Sequence, residues 1–185
     1  MHIFRPLAFA AALVATMVPA FASAQVEATP IPNAPKPNFS SMQFMIGSWS
    51  CSTKSSRRPA AYVTTSTYAL DSTGYWIEQS SVTKPVAWVK STLSVNDKIT
   101  YDPTTKRWVD VTYGDQGAYG LSFSKGWVGN YLTWHDVSFA PNGDISAQSD
   151  TTLTKVSATK VTTTSTFTEA KSGRHVSVAT VCTKS

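Results

Sequence analysis

Two carboxylates, Glu78 and Asp110, stand among aromatic residues in segments of strand-like sequence. A carboxyl group drawn into a cavity has its pKa raised and can then exchange a proton near neutrality. Tyr101 and His135 complete the set of groups available for acid–base work on a small organic substrate. The adjacent pair His135-Asp136 suggests a metal site, but neighbours on a strand point to opposite faces. No Cys or second His stands at ligand spacing, so no metal is expected. The chain also has no Gly-rich phosphate loop, no nucleophile elbow and no His-Glu-x-x-His helix, which leaves hydrolytic catalysis without a candidate. The expectation is therefore binding rather than catalysis. Tyr68, Trp76, Tyr101, Trp108, Tyr113 and Trp134, with Glu78 beside them, are the expected lining for a small hydrophobic or aromatic ligand. The alternative is an enzyme using acid–base residues inside the same enclosure.

Those residues must be positioned by strands. Segments 48–55, 61–70, 75–84, 87–94, 97–102, 107–113, 117–124, 130–138, 147–156, 160–169 and 174–183 are rich in Val, Thr, Tyr and Trp. Explicit turn sequences separate them: Asp71-Ser72-Thr73-Gly74, Asp102-Pro103-Thr104-Thr105, Pro141-Asn142-Gly143-Asp144 and Ser172-Gly173. Short strands joined by tight turns make a sandwich or a barrel. Many of the strands lack a purely apolar face, as in 107–113, where Val109, Val111 and Tyr113 oppose Trp108, Asp110 and Thr112. A sandwich core would show cleaner alternation, whereas a barrel lumen tolerates the mixture. For the Thr-rich stretch 161–168 the simpler account is β-propensity on solvated faces. The one expected helix is a single turn over Phe39, Met42, Phe44 and Met45, capped by Asn38 or Ser40.

Residues 1–24 have the parts of a secretory signal peptide: a basic start at His2 and Arg5, an apolar run over 7–21, and Ala22-Ser23-Ala24 as cleavage site. Thr16 and Pro19 interrupt the run, which falls short of the roughly 20 residues a membrane span needs. Residues 25–38, with Pro30, Pro32, Pro35 and Pro37, read as an extended linker, and 39–185 as one domain. A periplasmic or secreted location follows. Lys and Arg number 16 against 11 Asp and Glu, a net charge of +5, but they are scattered rather than gathered into a stripe. A nucleic-acid partner is therefore not expected, and Arg57-Arg58 reads as a solvated loop. Cys51 and Cys182 are the only cysteines, and in an oxidising compartment they form one disulfide. It would tie most of the domain into one loop, worth about 4–5 kcal/mol on the chain-entropy model.

Phe44-Met45-Ile46-Gly47-Ser48-Trp49, a short turn followed by Gly-x-Trp at the first strand, resembles the opening of lipocalin-like (calycin) barrels. There Trp49 would pack into the barrel floor and Gly47 would let the chain turn inward. The later runs Ala69–Glu78, Ile99–Trp108 and Gly126–Trp134 are similar to an uncharacterised bacterial family, domain of unknown function 1579, and more distantly to the nitrobindins. The resemblance implies a closed antiparallel up-and-down β-barrel of about ten strands with a mixed cavity, and no settled activity. Pairing of first and last strands with Cys51 opposite Cys182 would set Trp49 opposite Lys184. The Arg that stacks on this Trp in lipocalins then has no evident counterpart. The nitrobindin likeness implies haem on a late-strand histidine. His175 is the residue in question, but alternation from an inward Cys182 turns it outward, so no cofactor is expected.

Overall fold

Alternating side chains dominate the chain after Gly47, and the computed structural model forms strands through nearly all of it. It describes residues 35–88, 90–139 and 145–185, with the backbone alone for 145–148. The expected signal peptide, most of the linker and the 141–144 turn lie outside the described residues. A 3-10 turn, Ser40–Met45, precedes eleven strands. These are β1 (Gly47–Ser55), β2 (Tyr62–Leu70), β3 (Ile77–Thr83), β4 (Leu93–Asp102), β5 (Arg107–Gly114) and β6 (Tyr119–Ser124). They continue as β7 (Trp127–Val128), β8 (Tyr131–Phe139), β9 (Ile145–Ser157), β10 (Lys160–Thr168) and β11 (His175–Lys184).

Each long strand pairs antiparallel with the next, β1 pairs with β11, and β6 pairs with β8. The result is a closed up-and-down barrel of ten strands, and the two-residue β7 hooks onto β8. At the seam Cys51 faces Cys182 and Trp49 faces Lys184, the expected register. The disulfide is formed across it.

Two expected strands merge into one. The sequence after Thr83 contains Lys84-Pro85, and proline has no N–H to give a ladder. The continuous ladder therefore ends at Thr83, Val86 keeps only an isolated bridge, and the next strand begins at Leu93 rather than at 87. Leu93 to Asp102 then runs without a break, joining two segments expected to be separate. The plug is a 3-10 rather than an α turn; Ser40 N–H donates to Asn38 Oδ1 at 3.0 Å, and Phe39 holds the cap position.

The absence of purely apolar strand faces has a positional explanation. The inner faces read Trp49-Cys51-Thr53-Ser55 on β1 and Leu132-Trp134-Asp136-Ser138 on β8. Apolar character is thus concentrated at one end of the lumen. That end is closed by the 3-10 turn, whose Met42 and Met45 are buried against Trp49, Ile77, Ile99, Trp108, Leu132 and Leu153. Trp49 Nε1 donates to the Met45 carbonyl at 2.7 Å, which satisfies the indole inside the core. Further from the plug the inner faces carry hydroxyls, among them Thr53 and Thr180, bonded to each other at 2.9 Å. In the Thr-rich β10, Val161 is buried and Thr163 and Ser165 are half-buried, so one face of this stretch belongs to the lumen and only the other to solvent.

Candidate ligand cavity

The hydroxyl-lined half of the lumen is an open cavity of about 510 Å³. Its walls come from six strands. Val95 (β4), Asp110 and Thr112 (β5), Gly120 and Ser122 (β6), Trp134 and Asp136 (β8), Thr151 (β9) and Phe167 (β10) face into it. Arg57 and Glu169 stand at its rim, on the loops after β1 and β10. The absence of side chains at Gly114 and Gly120 keeps this region open, and at Gly120 an added Cβ would lie 3.1 Å from the Val137 carbonyl.

Register places three carboxylates on the inner faces of neighbouring strands. Asp97 is opposite Thr112, Asp110 is opposite Ser122, and Ser122 is opposite Asp136. Thr112 Oγ1 donates to Asp97 at 2.5 Å, and Thr151 Oγ1 donates to Asp136 at 2.5 Å. Asp110 has no such donor: its Oδ1 is buried and accepts no hydrogen bond. Removal from water raises the pKa of all three carboxyls. Asp97 rises to about 6 against the opposing pull of the Thr112 hydrogen bond. Asp110 rises to about 8, by burial first and then by the charges of Asp97 and Asp136. Tyr68, on β2 and deeper in the barrel, is also held protonated by burial and by the charges of Asp97 and Asp110.

The rim has the opposite character. Glu169 accepts from Arg174 at 3.0 and 3.2 Å and lies 3.0 Å from Arg57 Nε, and Ser172 Oγ donates to it at 2.5 Å. The Arg174 and Ser172 hydrogen bonds, then the Arg57 charge, depress its pKa to about 2. Arg57, expected in a solvated loop, is therefore one arm of a bridge between the β1–β2 and β10–β11 loops.

The expected site residues divide into three groups. Trp134 and Asp110 line the cavity, with Tyr68 below it. Tyr101 and Trp108 face inward at the plugged end, their rings 5.3 Å apart and edge-on, with Phe39 packed on Trp108. Trp76 sits half-buried just before β3, where its backbone N–H donates to Asp71, and it lines no part of the cavity. Glu78 and Tyr113 stand on the outer face, because Ile77 and Trp108 take the inward phase of β3 and β5. Glu78 is paired there with Lys98 at 2.9 Å. His135 also faces outward and bonds Asp150 at 2.7 Å, while its neighbour Asp136 faces inward. His175 is exposed, and its Nδ1 shares a hydrogen bond with Thr168 at 2.9 Å. Among the described residues no three His, Cys, Asp or Glu are grouped to hold a metal ion.

Asp97 and Phe167 were not anticipated, though both carried a signal. Alternation counted back from Tyr101 and Ile99 turns Asp97 inward, and counting forward from Val161 reaches Phe167.

No protein-family model matches the chain, and no curated protein sequence matches it. Among solved structures it is similar to the crystal structure of Rv2717c from M. tuberculosis, with a TM-score of 0.61 and 12% identity. That match covers 80% of this chain and 96% of the other. It is also similar to the structure of EF1p2_mFAP2b bound to DFHBI, with a TM-score of 0.39 and 8% identity over 78% of this chain and 96% of that one. The first is a likeness of fold alone, and the second is too distant to bear on function. No helix among the described residues is long and apolar enough to cross a membrane. The disulfide fits an oxidising environment.

Proposed function

We propose that this protein is an exported, lipocalin-like binding module that takes a small molecule with an apolar or aromatic body into the open end of its barrel. The observation that carries this reading is the cavity of about 510 Å³ with Trp134 and Phe167 in its walls. A plugged floor below and an open mouth above make a pocket of the size and mixed polarity of small-molecule sites. Domain of unknown function 1579 remains the family whose sequence runs it resembles. The signal-peptide pattern at 1–24 and the disulfide together support a periplasmic or secreted location.

The test is calorimetric titration with 1-naphthalenemethanol, a neutral aromatic probe smaller than the cavity. One saturable site is expected, with affinity falling about tenfold or more in Trp134→Ala and Phe167→Ala, a loss of the order of one buried aromatic contact. Tyr113→Ala on the outer face leaves it unchanged. Absence of saturable binding, or equal sensitivity to Tyr113→Ala, overturns the reading.

One observation favours a second reading, acid–base catalysis on the bound molecule. Asp110 lines the cavity, and its raised pKa suits proton exchange near neutrality. Exchange of acidic C–H protons of bound aryl ketones with deuterium, lost in Asp110→Asn, would support it. Unchanged exchange in that variant would remove it.

A further inference from the structure

We propose that the ligand of this cavity is an organic cation, an amine carried on an aromatic body, held by the Asp110–Asp136 pair and admitted with release of a proton. This inference rests on the reading of the cavity as a binding site.

An apolar ligand alone would leave the polar half of the lumen unexplained. Asp110, Ser122 and Asp136 form one row across β5, β6 and β8, and both carboxylates line the cavity. The protein supplies donors to Asp136 through Thr151 and to Asp97 through Thr112. It supplies none to the buried Oδ1 of Asp110. A buried acceptor without a partner is costly, and such a group marks a place where a donor from outside the chain is to be received. Nor do the described residues lining the cavity supply a free counter-charge. The one basic side chain lining the cavity among the described residues, Arg57, is engaged with Glu169 at the rim, as is Arg174 beside it. The other titratable groups around the row are Asp97 on β4, Tyr68 on β2 and, behind Asp136 on the outer face, the paired His135 and Asp150, whose charges act on Asp136 with opposite signs. Trp134, next to Asp136 on the inner face of β8, and Phe167 across the cavity offer ring faces for the body of the ligand and for its cation.

Burial, with the charges of Asp97 and Asp136, keeps Asp110 protonated in the empty barrel at neutral pH. An ammonium group entering the row favours the carboxylate. The carboxylic acid gives its proton to solvent, the ion pair forms, and charge is conserved. A neutral alcohol of the same shape displaces no proton, and an aryl carboxylate meets repulsion.

The experiment compares 1-naphthylmethylamine, 1-naphthalenemethanol and 1-naphthoate by calorimetry at about pH 7, in buffers of different ionisation enthalpy. The amine is expected to bind at least about tenfold more tightly than the alcohol, with release of up to about one proton, and the naphthoate most weakly. In Asp110→Asn the preference for the amine over the alcohol and the proton release fall together. Asp136→Asn serves as the second variant if the first is not folded by circular dichroism. If alcohol and amine bind alike and Trp134→Ala weakens both, the cation assignment fails and the binding reading stands. If none of the three binds, both fail.

Discussion

Lys184 and Trp49 face each other across the barrel seam, and the lysine Nζ lies 5.5 Å from the indole centroid. The same Nζ donates to the Phe44 carbonyl at 2.9 Å. One cation thus joins the last strand, the Trp of the first strand and the plug. Gly47 belongs to the same device: its φ is +120°, and a Cβ there would lie 3.0 Å from Lys184 Cε. The stacking cation that seemed to lack a counterpart in the sequence is supplied by a lysine.

Lys184→Met, which keeps the aliphatic stem, is expected to lose about 1–2 kcal/mol from the cation–π contact and the hydrogen bond. Lys184→Arg should retain most of it. Equilibrium denaturation in urea measures both.

Cys51 and Cys182 are 131 positions apart and neither lines the cavity. The double variant Cys51→Ala/Cys182→Ala should lose about 4–5 kcal/mol by loop-closure entropy. Affinity for the naphthyl probes should be unchanged when measured where the variant is still folded. Denaturation midpoints and calorimetry separate the two effects.

Asp110 binds its proton more tightly in the folded state than in the unfolded chain, because its pKa rises from the ordinary carboxylate range to about 8. Its ionisation therefore erodes stability progressively as pH climbs from about 4 towards about 8. Asp110→Asn should be more stable than the parent at pH 8, by about 1–3 kcal/mol for relief of a buried unpaired charge, with little gain at about pH 4. Thermal melts across that interval test the sign.

Glu169 behaves oppositely. Its depressed pKa means that the Arg174 and Arg57 contacts contribute stability above the ordinary carboxylate range, and lose it as pH falls through about 2. Glu169→Gln should lower the melting temperature at neutral pH, and the difference from the parent should close in strong acid.

The sequence carried the closure of the fold unusually far. Given the up-and-down barrel that the resemblance implies, antiparallel arithmetic with Cys51 opposite Cys182 sets Trp49 against Lys184, and both pairings are present. It failed where local pattern and ladder chemistry conflict. Trp88, after Pro85, looks like strand, but Lys84-Pro85 ends the continuous ladder at Thr83. The site was less legible. Glu78 and Tyr113 share their strands with the inward-facing residues Ile77 and Trp108, and each lies an odd number of positions from them.

By itself, then, the sequence determined that there are strands, that they alternate, and that the two ends meet and are joined by sulfur. Alternation has two equivalent phases, and nothing within one strand selects between them. Only the packing of Trp49, Ile77, Ile99 and Trp108 around the Met42 plug chose the phase that turns Asp97 and Asp110 inward and Glu78 outward. Depth was decided by register between strands far apart in sequence, which set Asp110 and Asp136 at one height and left the lumen above them open.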